Sequence, residues 1–227
     1  MLKKITLTGT PGKGYFLDGQ LEVYMRHLPH WRQEGATYFV TFRLDDSLPK
    51  VKLDQLAAMR REWERRHPSP WGRDALERLT RQQAEYLEKW LDEGMGSCLL
   101  KEPSCAVLLT EAMHHFDRKR YELGAYVVMP NHIHVIVRPL ACLEHPLEKI
   151  VGSWKQFSAK RINARRGTEG DSWQQESYDR IVRDEERLYR CLQYIGRNPA
   201  KAGLSRNDCP LWIRPEWVAL GWKVDET

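Results

Sequence analysis

Two stretches of this 227-residue chain carry side chains whose types and spacing suit phosphate chemistry. The first runs Tyr126-Val-Val-Met-Pro-Asn-His132-Ile-His134-Val-Ile-Val-Arg138. In a strand, residues two apart share a face. His132 and His134 therefore point one way, close enough to grip one metal, while Ile133, Val135 and Val137 point the other way into a core. Two neutral imidazoles suit a first-row divalent ion, and the oxygen ligands that come with phosphate chemistry favour Mg²⁺ or Mn²⁺. The same pattern also fits two half-buried histidines on a sheet face with no metal. The second stretch is Asp184 to Asn198, DEERLYRCLQYIGRN. Tyr194 and Asn198 are four apart, so one helical face presents both, a phenol as nucleophile and an amide as third metal ligand. A phenol with an ordinary pKa of about 10 is protonated at neutral pH and needs help to attack. A cation that polarises the phosphate would supply it. Spacing alone favours Tyr194 as a core aromatic beside Leu188, Cys191 and Ile195.

The elements that must position these groups are legible in outline. Ala36 to Leu44 alternates and is rich in β-branched and aromatic residues, which predicts a strand. Two helical stretches follow, Lys52 to Arg66 and Asp74 to Asp92, broken by HPSPWG. Leu76, Leu79, Gln83, Leu87 and Trp90 line one side of the second, with its charges on the other, as in a solvated helix pair. Ser104 to Arg118 reads as a helix. Glu122 to Met129 and His132 to Pro139 read as strands joined at Pro130–Asn131. Pro146 to Asn163 reads as a helix, Ser177 to Arg183 as a short strand, and Asp184 to Arg197 as a helix stopped by Pro199. The order β-α-β-β-α-β-α predicts an α+β ferredoxin-like sandwich, an antiparallel sheet with helices on one face, carrying a helical insertion at about 50–95. Residues 1–35 read as an irregular arm, 36–204 as the catalytic domain and 205–227 as a tail. GTPGKG, from Gly9 to Gly14, lacks the spacing of a phosphate loop and reads as a turn.

The bulk numbers narrow the classes. A net charge of +5 permits a nucleic-acid partner without demanding one. Lys155, Lys160, Arg161, Arg165 and Arg166 form a basic stretch that could meet DNA phosphates or simply face solvent. Five cysteines with no CxxC pair argue against a disulfide framework or a zinc knuckle. No apolar run approaches a membrane span and no leader is evident, so the expected compartment is cytoplasmic. His114 and His115, adjacent on a helix, cannot face one site together. Trp212, Trp217 and Trp222 could stack on bases, but packing of the tail onto the body accounts for them better.

Taken together, PNHIHVIV, the basic helix from Trp154 to Asn163, Trp173-Gln-Gln-Glu-Ser-Tyr-Asp-Arg-Ile-Val-Arg183 and Tyr194-Ile-Gly-Arg-Asn-Pro-Ala-Lys-Ala-Gly-Leu204 resemble the REP-associated tyrosine transposases. These are single-strand transposases of the HUH endonuclease superfamily. His27-Leu-Pro-His-Trp and Gly35 to Leu44 resemble the same group, so the likeness spans roughly Arg26 to Leu204. It implies that His132 and His134 hold the metal and that Tyr194 attacks a phosphodiester, leaving a 5′-phosphotyrosine link and a free 3′-OH. Relatives carry glutamine where this chain has Asn198, one methylene shorter. Tyr178 is the rival nucleophile, and Asp179 and Arg180 organise the site or hold the helix. The implied partners are single-stranded DNA or repeat hairpins, bound by a monomer or a homodimer. Two other readings stay open: a hairpin-binding protein of this fold without chemistry, and a metal-dependent phosphoesterase that uses water.

Overall fold

The computed structural model describes residues 6–7, 10–11, 22–25, 29–67, 71 and 73–225, with backbone alone for 6–29 and 73. Two short hairpins open the chain, β1 (Thr6–Leu7) with β2 (Thr10–Pro11) and β3 (Glu22–Met25) with β4 (Pro29–Arg32). The region expected to be an irregular arm thus holds paired strands. Most of the Gly9–Gly14 turn lies outside the described residues, as does His27.

The body begins with β5 (Thr37–Arg43), followed by the helix pair α1 (Lys50–Arg66) and α2 (Arg73–Asp92), then α3 (Pro103–His114). The strands β6 (Tyr121–Val128) and β7 (His132–Pro139) come next, then α4 (Leu147–Arg166), β8 (Tyr178–Val182) and α5 (Glu185–Lys201). The chain closes with β9 (Leu211–Ile213) and α6 (Pro215–Ala219). The five strands order as β8-β5-β7-β6-β9, every neighbour antiparallel. The first four have the arrangement of a ferredoxin-like sandwich: β5 and β6 flank β7, and β7 and β8 flank β5, so each helical crossover skips one strand. Among the described residues no helix is long and apolar enough to cross a membrane.

Strand alternation gives the sheet two apolar faces, and both are covered. Tyr38, Val40, Phe42, Ile133, Val135 and Val137 pack against α3 and α4 through Leu109, Met113, Ile150 and Trp154. Phe39, Val127 and Ile136 face the other way and pack against Leu188, Leu192 and Ile195 of α5. The two crossover helices do share one face, as the sequence predicts, and α5 closes the second. Its apolar stripe is as strong a claim on burial as theirs.

The segment read as a tail is part of this body. β9 pairs with β6, and Trp217 and Trp222, each 1% exposed, pack beneath α5. Gly124 sits at a register shift in β6 where the Trp217 ring presses on the backbone, so a Cβ there would collide with ring carbons. The opening hairpin is tied to the opposite edge. His30 Nδ1 lies 2.6 Å from Asp179 Oδ1 and Arg32 Nη1 donates to Asp179 Oδ2 at 2.6 Å. Burial opposes a charge on His30, but its contacts with Asp179 and Glu176 outweigh that and raise its pKa to about 9.

Two outcomes follow from these contacts. Gly124→Ala overpacks the Trp217 seat and lowers stability by about 1–3 kcal/mol in urea unfolding. A histidine held protonated in the fold stabilises it fully below the unfolded pKa of about 6.5 and stops doing so as pH rises through about 9. Wild-type stability should therefore fall across that window by on the order of 2 kcal/mol, and His30→Gln should flatten the profile.

Candidate metal and nucleophile site

His132 and His134 project from β7 onto the face covered by α5, opposite Arg43 and Thr41 of β5. Both are fully buried, at 1% and 0% exposure. Their Nε2 atoms face each other at 3.0 Å. Each ring is held from behind. His132 Nδ1 lies 2.7 Å from Asn131 Oδ1, and His134 Nδ1 lies 2.8 Å from Thr41 Oγ1. The Asn131 Nδ2 group donates to the carbonyls of Leu91 and Met95, so its oxygen is the atom left to accept. His132 must then carry its proton on Nδ1 and present a lone pair at Nε2. Thr41 can rotate to accept from His134 Nδ1, which leaves a second lone pair facing the first, or to donate to it, which leaves an Nε2–H between the rings.

The first of these arrangements fits a cation. Two nitrogens bound at about 2.0–2.2 Å on adjacent octahedral corners lie about 3 Å apart, the separation found here. Burial pushes the His132 pKa down to about 3 and holds that of His134 well below its usual value, so both rings are neutral and able to ligate at pH 7. Among the described residues no three His, Cys, Asp or Glu side chains are grouped to hold a metal, so a third protein ligand would have to be of another kind. Asn198 answers that description. It is 0% exposed on α5 and lies against His132 and Tyr194, yet neither amide atom makes a well-formed hydrogen bond. An amide orphaned beside two converging imidazoles is costly unless something binds there.

Tyr194 lies one turn earlier on the same helix. Its ring meets His134 edge to face, with centroids 5.0 Å apart, and meets Phe39 at 5.7 Å. Its hydroxyl is buried without a hydrogen-bond partner. Burial first, then the carboxylates of Glu88 and Asp92 on α2, push the phenol pKa far up. In this arrangement the phenol is positioned but not activated. Tyr178 stands opposite Thr41, which itself stands opposite His134. Two strand spacings of about 4.8 Å therefore separate Tyr178 from the histidine that Tyr194 touches.

The remaining predicted residues are dispersed. Asp179 points to the far face, toward His30 and Arg32, whereas Arg180 lies over the Phe39 ring, 4.7 Å from its centroid, on the His face. The basic stretch on α4 is on the sheet face opposite the histidines. Lys155 is buried there, its ammonium donating to the carbonyls of Gln174 and Gln175 and to Ser177 Oγ, so it braces the loop before β8. Arg161 pairs with Glu111, and Lys160 and Arg165 are exposed. His114 donates to or accepts from the Tyr126 hydroxyl in a packing role. α5 continues through Pro199 to Lys201, although Pro199 has no N–H to give the Ile195 carbonyl. That extra turn sets Lys201 Nζ 5.5 Å from the Tyr194 ring centre. Thr41, Asn131, Glu88, Asp92 and Lys201 were not singled out from the sequence. Only Asn131, adjacent to His132, offered a local signal.

No protein-family model matches the chain, and no curated protein matches it. A solved structure described as a REP-associated tyrosine transposase bound to a REP hairpin is similar at 19% identity and a TM-score of 0.47, over 81% of this chain and 75% of that one. The geometry itself yields a test. Thr41→Val keeps the shape of the side chain but removes the partner of His134 Nδ1, and should weaken Mn²⁺ binding by about 10–100-fold in calorimetric titration.

Proposed function

We propose that this chain is a metal-dependent single-stranded DNA endonuclease and strand transferase that acts on repeat hairpins, with Tyr194 as nucleophile. The observation that carries the reading is a buried pair of facing imidazoles, His132 Nε2 and His134 Nε2, with the Asn198 amide beside His132 and the Tyr194 ring against His134. His132, His134 and Asn198 would hold Mg²⁺ or Mn²⁺, which supplies Lewis-acid stabilisation of charge on the non-bridging phosphate oxygens.

The protein's own part is orientation. The phenol oxygen attacks phosphorus and its proton passes to water. The bond to the 3′ oxygen breaks, and that oxygen takes up a proton to become a free 3′-OH. One phosphoester bond forms as another breaks, so the 5′-phosphotyrosine link can be reversed without a nucleotide cofactor. An unpaired strand suits this face, because bringing its phosphate to a recessed phenol does not require opening a duplex.

Support for the tyrosine over water as nucleophile is positional: the ring already rests on one of the two ligating imidazoles. With a tailed DNA hairpin and Mn²⁺, wild-type protein should form a covalent adduct that survives denaturing electrophoresis and is lost in chelator. Tyr194→Phe should form none while still binding the hairpin, and Tyr178→Phe should behave as wild type. An adduct of normal yield in Tyr194→Phe would falsify the assignment. Strand cleavage without any adduct would point to the hydrolytic alternative.

A further inference from the structure

α2 covers the nucleophile with the wrong charge. Glu77, Glu88 and Asp92 are spaced by eleven and four residues, so they form one stripe along the helix. This stripe faces the protein, as the buried Thr80, Ala84 and Leu91 beside it show. Each acid meets a cation of β8, its following loop or α5. Glu77 pairs with Arg183, and Asp92 Oδ2 pairs with Lys201 Nζ at 2.8 Å. Glu88 lies between, within the field of Arg180 and Lys201 and beside the Tyr194 phenol. Arg180, Arg183 and Lys201 thus form a track past Tyr194, the kind of surface that follows a phosphate backbone.

The seat of α2 is also incomplete. The Tyr194 hydroxyl, both Asn198 amide atoms, Asp92 Oδ1 and Gln83 Oε1 are buried there without a well-formed hydrogen bond. A half-open pocket of about 310 Å³ lies along the helix pair, lined by Thr41, Arg43, Leu56, Gln83, Leu87 and Tyr178 among others. Well-packed interiors hold few orphaned polar groups. The C-terminal end of α2 is anchored by Asn131, which donates to the Leu91 and Met95 carbonyls, and the Glu77 end by the buried Leu76 and Leu79 together with the surface ion pair to Arg183. Exposed pairs of that kind are worth little.

We infer that Arg183, Arg180 and Lys201 are the strand-binding track for DNA phosphates and that α2 is its built-in competitor, its carboxylates occupying the cations until a nucleic-acid strand displaces them. This inference rests on the proposed function, because it names the surface by which DNA reaches Tyr194. It assigns strand contact to the α5 side of the sheet rather than to the basic face of α4. It also gives the helix pair a task, keeping the phenol covered and unreactive until DNA arrives.

The test uses the full chain and a fluorescent DNA hairpin bearing a randomised single-stranded tail of about ten nucleotides, within the usual span of such sites. Neutralising the stripe with Glu77→Gln, Glu88→Gln and Asp92→Asn should tighten binding by about tenfold, as expected when a competing closed state is removed. A control with the same change in net charge, Glu102→Gln, Glu111→Gln and Glu169→Gln, should shift affinity by less than about threefold. Lys201→Gln with Arg183→Gln should weaken binding, whereas Lys160→Gln with Arg161→Gln should not. The decisive readout is hydrogen exchange: DNA should raise exchange along α2 in the wild type, although it lowers it at an ordinary binding face. Equal tightening by both triple variants, or protection of α2 by DNA, would overturn the inference. If the Tyr194 adduct forms while α2 is protected, only the inference falls. If the wild type neither binds nor joins the hairpin, the functional reading falls with it.

Discussion

The approach of two imidazole nitrogens to 3.0 Å inside the protein is the constraint around which this structure is arranged. Two lone pairs at that distance repel unless a proton or a cation lies between them. The rings are nonetheless held there by groups with few alternatives, an asparagine whose amide nitrogen is already engaged and a threonine directly across the sheet. Burial then denies them the simplest relief, because protonation is disfavoured where water is absent. Everything else at the site is placed relative to this pair. The sheet sets its direction, α5 brings the phenol and amide over it, and α2 closes the top.

The way the site is built explains why part of it was legible in the sequence. His132 and His134 are two apart and Tyr194 and Asn198 four apart, so local periodicity alone predicts each pair. Strand and helix order then predicts the sandwich, and the strand sequence β8-β5-β7-β6 agrees with it. Thr41 illustrates the limit. It meets His134 only through the register of β5 against β7, a pairing across more than ninety residues. Glu88 and Asp92 are less visible still. In one dimension they look like the solvated side of an amphipathic helix, and only the docking of α2 turns that edge inward. Lys155 errs in the opposite direction: its neighbours are exposed cations, but its own ammonium closes the loop before β8.

Electrostatics at the site divide by face. On the α4 side, Lys160, Arg161 and Arg165 are open to solvent or held in exposed pairs, whereas Lys155 is buried as a brace. The α5 side carries cations that the fold itself neutralises, with acids drawn from a helix pair inserted between β5 and α3. A formal charge of +5 therefore says little about where a polyanion would lie. What matters is which cations a phosphate could take over, and at what cost in internal pairs.

The strand β9 and the two tryptophans beyond it bear on how the protein comes into being. Because Trp217 and Trp222 form the floor on which α5 rests, and β9 caps the exposed edge of β6, the candidate site residues are all synthesised before their foundation is. A nascent chain that has emerged only as far as α5 holds His132, His134 and Tyr194 on an unfinished sheet with an open edge. Such an intermediate invites pairing with other strands and cannot yet hold the phenol in place. The site is thus completed late in translation, with the docking of these indole rings.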